Sequence, residues 1–148
     1  MSYITSEDIK FIEDKYGMPE RLEVEIAATA DEIDRIRQSQ HDGRAHDITM
    51  FIKQDDRFLF IAKPFYPLGL YRAPSGAAKN GEGLVKGALR EAFEETGVQV
   101  LLKKYLLQIK GKFTDGDDLI DWTSYVFLAD HVSGEIDPQD KREIREAR

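Results

Sequence analysis

The sequence contains no cysteine, which excludes disulfides, thiolate zinc sites and a cysteine nucleophile. It has no long apolar run either. Stretches such as "YVFLA" are far too short to span a bilayer. The N-terminal "MSYITSEDIK" lacks the apolar segment of a secretory leader, so none is expected. Positive charge is in deficit: 21 Lys and Arg stand against 28 Asp and Glu, a net charge of -7. General nucleic-acid binding needs a basic face and is not expected. An acidic protein still takes an anionic substrate when metal cations lie between them. These absences fit a cytoplasmic location. No internal repeat and no low-complexity linker interrupts the chain.

What is present suits one domain, since 148 residues can enclose a hydrophobic core. Residues 5–16 read as a helix, capped by Thr5 or Ser6 and stopped by Gly17-Met18-Pro19. "RLEVEIA" alternates as a strand, and "TADEIDRIRQ" follows a Thr29 or Asp31 cap as a second helix. "DITMFIKQ" and "RFLFIAK" flank Asp55-Asp56 as a hairpin. "PFYPLGLYRAPSG" is loop, 83–96 is helix, and "VQVLLKKYLLQIKGKF" and "LIDWTSYVFLAD" are strands joined by "TDGDD". Residues 134–140 are loop, and "KREIREAR" is short and charged. This order predicts an α/β protein of the α+β kind, a mixed sheet covered by helices. Residues 1–40 form a helix–strand–helix extension, packed on the domain or at a dimer interface, and 41–148 form the main domain.

The helix at 83–96 raises a question. Leu84, Val85, Ala88, Leu89, Ala92 and Phe93 recur at three- and four-residue spacing and predict the buried stripe. Arg90, Glu91, Glu94 and Glu95 then lie off that stripe. Three glutamates crowd the C-terminal end, where the helix dipole favours cations. Like charges one turn apart cost roughly 0.2–0.5 kcal/mol, and the dipole adds about 0.3–1 kcal/mol per charge. A single arginine does not offset this, whereas a hard divalent cation would. Oxygen ligands with no cysteine or nearby histidine point to Mg²⁺ or Mn²⁺ rather than zinc.

The stretch "GAAKNGEGLVKGALREAFEETGV", residues 76–98, resembles the Nudix box, G-x5-E-x7-R-E-U-x-E-E-x-G-U with U aliphatic. Gly76, Glu82, Arg90, Glu91, Ala92, Glu94, Glu95, Gly97 and Val98 fill it. Seven identities at about 6% each multiply to on the order of one in a billion per start position. The resemblance implies a Nudix-type α/β/α sandwich with a mixed sheet. It also implies Mg²⁺- or Mn²⁺-dependent hydrolysis of a pyrophosphate bond in a nucleoside diphosphate derivative, by in-line attack of an activated water. The alternative it leaves is a non-catalytic module that binds a nucleotide. The resemblance assigns the metal to Glu91, Glu94 and Glu95, with a carbonyl at Ser75 or Gly76, and gives Glu82 and Arg90 supporting roles. The general base is a box glutamate, Glu94 or Glu95, or a later acid among Asp137, Asp140, Glu143 and Glu146. Of the later acids Glu143 is preferred. Nudix folds usually continue with another strand and a closing helix, so a shortened domain with an uncovered apolar face is expected, which a second copy of the chain would cover.

The substrate is less defined. Tyr66, Tyr71 and Phe65 could stack a base, and Arg72 could hold a phosphate or ribose edge. "KGKFTDGDD" has no proline, which ADP-ribose hydrolases of the family carry in this region. Trp122 and Tyr125 face either core or pocket. His41 and His46 read as surface or hydrogen-bonding histidines rather than metal ligands.

Overall fold

Two long strands carry the architecture of the computed structural model, which describes residues 3–40 and 43–148. β6 (Gln99–Asp115) and β7 (Asp118–Ser133) form an antiparallel hairpin with Asp115 opposite Asp118. β2 (His46–Gln54) adds parallel to β7, and β1 (Glu20–Ala27) adds parallel to β6. The short strands β3 (Arg57–Phe58) and β5 (Ser75–Gly76) pair with β2. Among the described residues the order is β1-β6-β7-β2-β3, with β5 beside β2, so the sheet is mixed. β4 (Ile61–Ala62) pairs separately with β8 (Glu146–Ala147). Helices α1 (Ser6–Tyr16), α2 (Ala30–Ser39) and α3 (Leu84–Thr96) complete the α+β fold anticipated from the sequence.

Strand alternation decides where the core lies. Ile48, Met50 and Ile52 of β2 and Tyr125, Phe127 and Ala129 of β7 are buried in one cluster. They pack with Leu84, Ala88 and Ala92 of α3 and Ile12 of α1. Tyr105 stacks on Phe127 with ring centroids 5.2 Å apart. α2 packs on β6, buries Ile33, and is anchored to the hairpin turn by an ion pair between Arg37 and Asp118. The 1–40 extension thus joins the sheet of its own chain through β1 and supplies core residues from both of its helices. Among the described residues no helix is long and apolar enough to cross a membrane.

Two expectations need correcting. Leu89 and Phe93 of the anticipated stripe are 37% and 42% exposed, whereas Glu95 and Thr96 are buried. The inward face of α3 runs through Leu84, Ala88, Ala92 and Glu95 at i, i+4 and i+3 steps, and this rotates the outer apolar pair to solvent. The "KREIREAR" tail is more than a charged end. Ile144 is 2% exposed, Arg145 donates its N–H to the carbonyl of Ala62 at 2.9 Å, and β8 follows. Strand pairing, which local sequence does not report, holds it there.

Candidate active site

The site begins where α3 ends. Gly97 takes the left-handed conformation, φ 82°, and its N–H reaches the carbonyl of Phe93. A Cβ there would overlap the backbone of Asp137, so only glycine fits. The N–H groups of Gln139 and Asp140 both reach the carbonyl of Glu94 at 2.9 Å, and that of Asp137 reaches Thr96 at 2.8 Å. The 137–140 loop therefore caps the last carbonyls of α3, which carries no basic residue in its final turn. The chain leaving this cap brings Glu143 to the cleft described below.

β5 approaches α3 from the other side. A Cβ on Gly76 would overlap the carboxyl group of Glu91, so the missing side chain is what lets the backbone lie against that acid. One residue earlier, Ser75 donates its N–H to Glu95 Oε1 at 2.8 Å. Arg90 gathers the remaining acids. Its Nε reaches Glu82 Oε2 at 2.8 Å, and Nη1 reaches Glu91 at 2.9 Å and Glu94 at 3.2 Å. Nη2 reaches Glu82 Oε1 at 3.0 Å and the carbonyl of Ala77 at 2.7 Å.

The charges respond to these surroundings. Burial is the main cause that pushes the Glu95 carboxyl up to about 7, helped by repulsion from Glu91 and opposed by the Ser75 N–H. Burial also raises Glu91, against the pull of Arg90. Hydrogen bonding to Arg90 lowers Glu82. His46 is buried and accepts the Ala78 N–H at Nε2, 3.0 Å, so burial and nearby Arg44 hold it down at about 4. It is a hydrogen-bonded histidine under the box strand. His41 lies outside the described residues.

A cleft of about 500 Å³ opens beside this helix end. Its lining includes Ser75, Gly76, Glu91 and Glu143, with Lys63 and Arg72. Arg72 donates to the Ser75 hydroxyl. The lining also includes Ile36 and Ser39 of α2, Phe113 of β6, Trp122 of β7, and Arg44 and Asp47. Of the anticipated residues, Glu91, Glu143, Arg72, Ser75 and Gly76 thus share one cavity. Glu95 sits behind Ser75 and is 3% exposed. Glu94 is not in the cleft lining; it pairs with Arg90 and lies beside Gln139 and Asp140.

Tyr71 and Tyr66 are outside the cleft lining, contrary to the expected base-stacking wall. The Tyr71 hydroxyl donates to Glu146 at 2.9 Å with Arg148 over its ring, and Tyr66 packs edge-on to exposed Phe65. The β4–β8 pairing draws the loop toward the tail and away from the box. Among the other late acids, Asp137 pairs with Lys141, and Asp140 accepts the N–H groups of Arg142 and Glu143. Of the two undecided aromatics, Tyr125 is core and Trp122 lines the cleft. Sequence reasoning missed Lys63, Arg44, Asp47, Phe113 and Ile36. They come from separate elements, and no local spacing links them.

Among the described residues no three acidic, histidine or cysteine side chains converge as a ready metal cage. The donors nevertheless fit a hard cation. Mg²⁺ is usually held by one or two carboxylates, with substrate phosphates and water supplying the rest. Glu91 and Glu95 provide two such carboxylates beside a backbone that Gly76 leaves bare.

Comparison with known proteins agrees with this geometry. A family model described as "NUDIX domain" matches residues 43–148. The "Uncharacterized Nudix hydrolase YvcI" of Bacillus subtilis is 34% identical over 89 residues, covering 57% of this chain and 52% of that protein. The "NAD-capped RNA hydrolase NudC" of Photobacterium profundum is 32% identical over 100 residues, covering 68% of this chain and 35% of that protein. The chain therefore spans about half or less of the length of these curated relatives. A solved UDP-X diphosphatase shares the fold at TM-score 0.57 and 17% identity, covering 82% of this chain and 58% of that one. With the family model matched over well more than half of the chain, and Gly76 and Glu91 of the box lining the cleft, the chain belongs to the Nudix family.

Proposed function

We propose that the chain hydrolyses a pyrophosphate bond in a nucleoside diphosphate derivative, with Mg²⁺ or Mn²⁺ held at Glu91 and Glu95. The observation that carries this reading is the pairing of opposite charges in one cleft. Glu91 lines the cleft and Glu95 lies one turn on, buried behind Ser75, and burial raises both in pKa. Lys63 and Arg72 line the same cavity. The two cationic side chains can meet phosphate oxygens directly, whereas the acids tolerate a polyanion only through a divalent ion. Similarity to a relative named as an NAD-capped RNA hydrolase supports a nucleotide-linked substrate.

When bound, such an ion neutralises phosphate oxygens and acidifies a water. The residues of the chain do the rest. Ser75 fixes the Glu95 carboxylate through Oε1, and Glu91 and Glu95 would hold the ion. Arg90 holds Glu82, Glu91 and Glu94 in one array and so orients Glu91. The backbone at Ser75 and Gly76 is a further source of oxygen beside Glu91. Glu143 takes the proton of the attacking water, and Lys63 and Arg72 bind the flanking phosphates. Helix α2 of the 1–40 extension forms part of the cleft wall through Ile36 and Ser39.

A screen of nucleoside diphosphate derivatives with Mg²⁺, read as released phosphate or nucleoside monophosphate, tests this. Turnover is expected to vanish in EDTA and return with Mg²⁺ or Mn²⁺. Persistent turnover in excess EDTA overturns the metal role. Saturable nucleotide binding with no turnover of any compound makes the chain a binding module instead.

A further inference from the structure

The part of the cleft wall formed by α2, β6, β7 and the start of β2 has no assigned role in the proposed hydrolytic step, yet it is built with care. Trp122 and Phe113 sit on adjacent strands with Gly111 opposite Trp122, so the two aromatics are diagonal neighbours on one face. Gly111, opposite Trp122 and two residues before Phe113, adds no side chain to that face. Ile36 of α2 faces the same cavity, and the Arg37–Asp118 pair fastens α2 to the β6–β7 turn. Below this apolar wall lie two polar groups. Asp47 Oδ2 accepts the Trp122 Nε1–H at 3.0 Å, and the Arg44 guanidinium lies 5.2 Å from the indole centroid. Each group keeps an unsatisfied atom. Asp47 Oδ1 and Arg44 Nε are buried and have no hydrogen-bond partner among the described residues. A buried acceptor or donor left alone is destabilising, so both groups favour a ligand that supplies the missing partners.

We propose that Ile36, Phe113, Trp122, Arg44 and Asp47 form the subsite for the planar heteroaromatic base of the substrate. A nucleobase matches each feature. Its face packs against the aromatic and aliphatic wall, and its edge carries an N–H beside an acceptor nitrogen or carbonyl. Under this assignment the N–H of the base pairs with Asp47 Oδ1 and its acceptor with Arg44 Nε. Sugar hydroxyls or phosphate oxygens can pair with one or both atoms but bring no flat heteroaromatic face for the wall, and a lipid chain leaves both atoms unpaired. The layout also orders the substrate, with phosphates toward Lys63, Arg72 and the box, and the base toward α2. The assignment rests on the proposed hydrolysis for the phosphate end only. It makes α2 a specificity element, although residues 30–39 fall outside the matched domain.

Trp122 is the single tryptophan of the chain and reports on this wall directly. Its emission can be titrated with AMP, GMP and UMP, and with ribose 5-phosphate as the base-free control. A saturable change with the nucleotides and none with ribose 5-phosphate is expected. Calorimetry with AMP should then give binding weakened about 10-fold in Ile36→Ala and in Trp122→Ala, the scale of one base–aromatic stack. Ile36→Ala guards against a Trp122→Ala variant that fails to fold. An identical response to AMP and ribose 5-phosphate, or unchanged AMP affinity in folded Ile36→Ala and Trp122→Ala, overturns the subsite. Emission needs no turnover, so the two readings fail separately. Base-dependent emission without hydrolysis sinks the proposed reaction and keeps the subsite. Hydrolysis without base dependence does the reverse.

Discussion

Helices α1 and α3 pack into the same core and follow opposite rules. α1 opens with a capping box, in which Thr5 Oγ1 accepts the Asp8 N–H at 3.1 Å and Asp8 Oδ2 accepts the Thr5 N–H at 3.3 Å. It has acids in its first turn and Lys15 in its last, as the dipole prefers. α3 starts at Gly83 with no side-chain cap, has no acid in its first turn, and ends in Glu91, Glu94 and Glu95. Its local terms are unfavourable by a few tenths of a kcal/mol to about 1 kcal/mol each. Burial of one large apolar side chain contributes about 1.5–3 kcal/mol, and fully buried Leu84 alone can offset several of them. The lesson is that α1 is stabilised by its own sequence, whereas α3 is held by what surrounds it. That frees its last turn for chemistry.

The sharpest way to break this comparison is Glu95→Gln. Under the proposed role it should lower kcat/KM by about 10³-fold, the several kcal/mol expected of a lost metal ligand. It should leave the metal-free protein at least as stable at pH 8, since it removes a buried charge. The pH profile in EDTA separates the contributions. Glu95 is raised from 4.5 to about 7, so its contribution is full below about pH 4.5 and is lost as pH rises through 7. His46 is lowered from 6.5 to about 4, so its contribution is full above 6.5 and is lost as pH falls through 4. The two slopes oppose each other between pH 4.5 and 6.5 in the wild type. Glu95→Gln should remove the Glu95 slope and leave those of His46 and Glu91, so that Tm climbs more steeply, or falls less, between pH 4.5 and 6.5 than in the wild type. A metal-free Glu95→Gln that melts several degrees lower at pH 8 would make Glu95 a structural residue of α3.

Glu143→Gln probes the loop that caps α3. Steady-state kinetics should give kcat lower by about 10²-fold, toward the lower end of general-base effects, with KM little changed. Near wild-type kcat would remove Glu143 from the reaction and turn attention to Glu94. The smallest effect belongs to α1. Thr5→Ala should destabilise by about 1 kcal/mol in denaturant unfolding and leave kcat/KM unchanged. A loss of activity there would mean that α1 also shapes the cleft, and the contrast with α3 would fail.

Much of this protein was legible without coordinates. Alternation marked the strands, Thr5 and Thr29 marked helix starts, and the spacing from Gly76 to Val98 marked the family, because each signal lies within one local stretch of chain. The reach of Arg90 to Glu82 was legible too, since i to i+8 is two turns along one face. Contacts between distant segments were not. The burial of Glu95 depends on β5 lying across α3, and the cap on α3 comes from a loop some forty residues later, through Gln139 and Asp140 to Glu94. The wall that joins Ile36, Asp47, Phe113 and Trp122 draws on four separate elements brought together by parallel strand addition at both edges of one hairpin. Tyr66 and Tyr71 sit close to the box in sequence and face away from the cleft, because β8 captures β4 and pulls their loop toward the tail. Side-chain periodicity is a property of one segment, and so the sequence alone determined the elements and the box. Which segments meet depends on hydrogen-bond pairing and burial across the whole chain, and so only the tertiary structure decided the rest of the cleft.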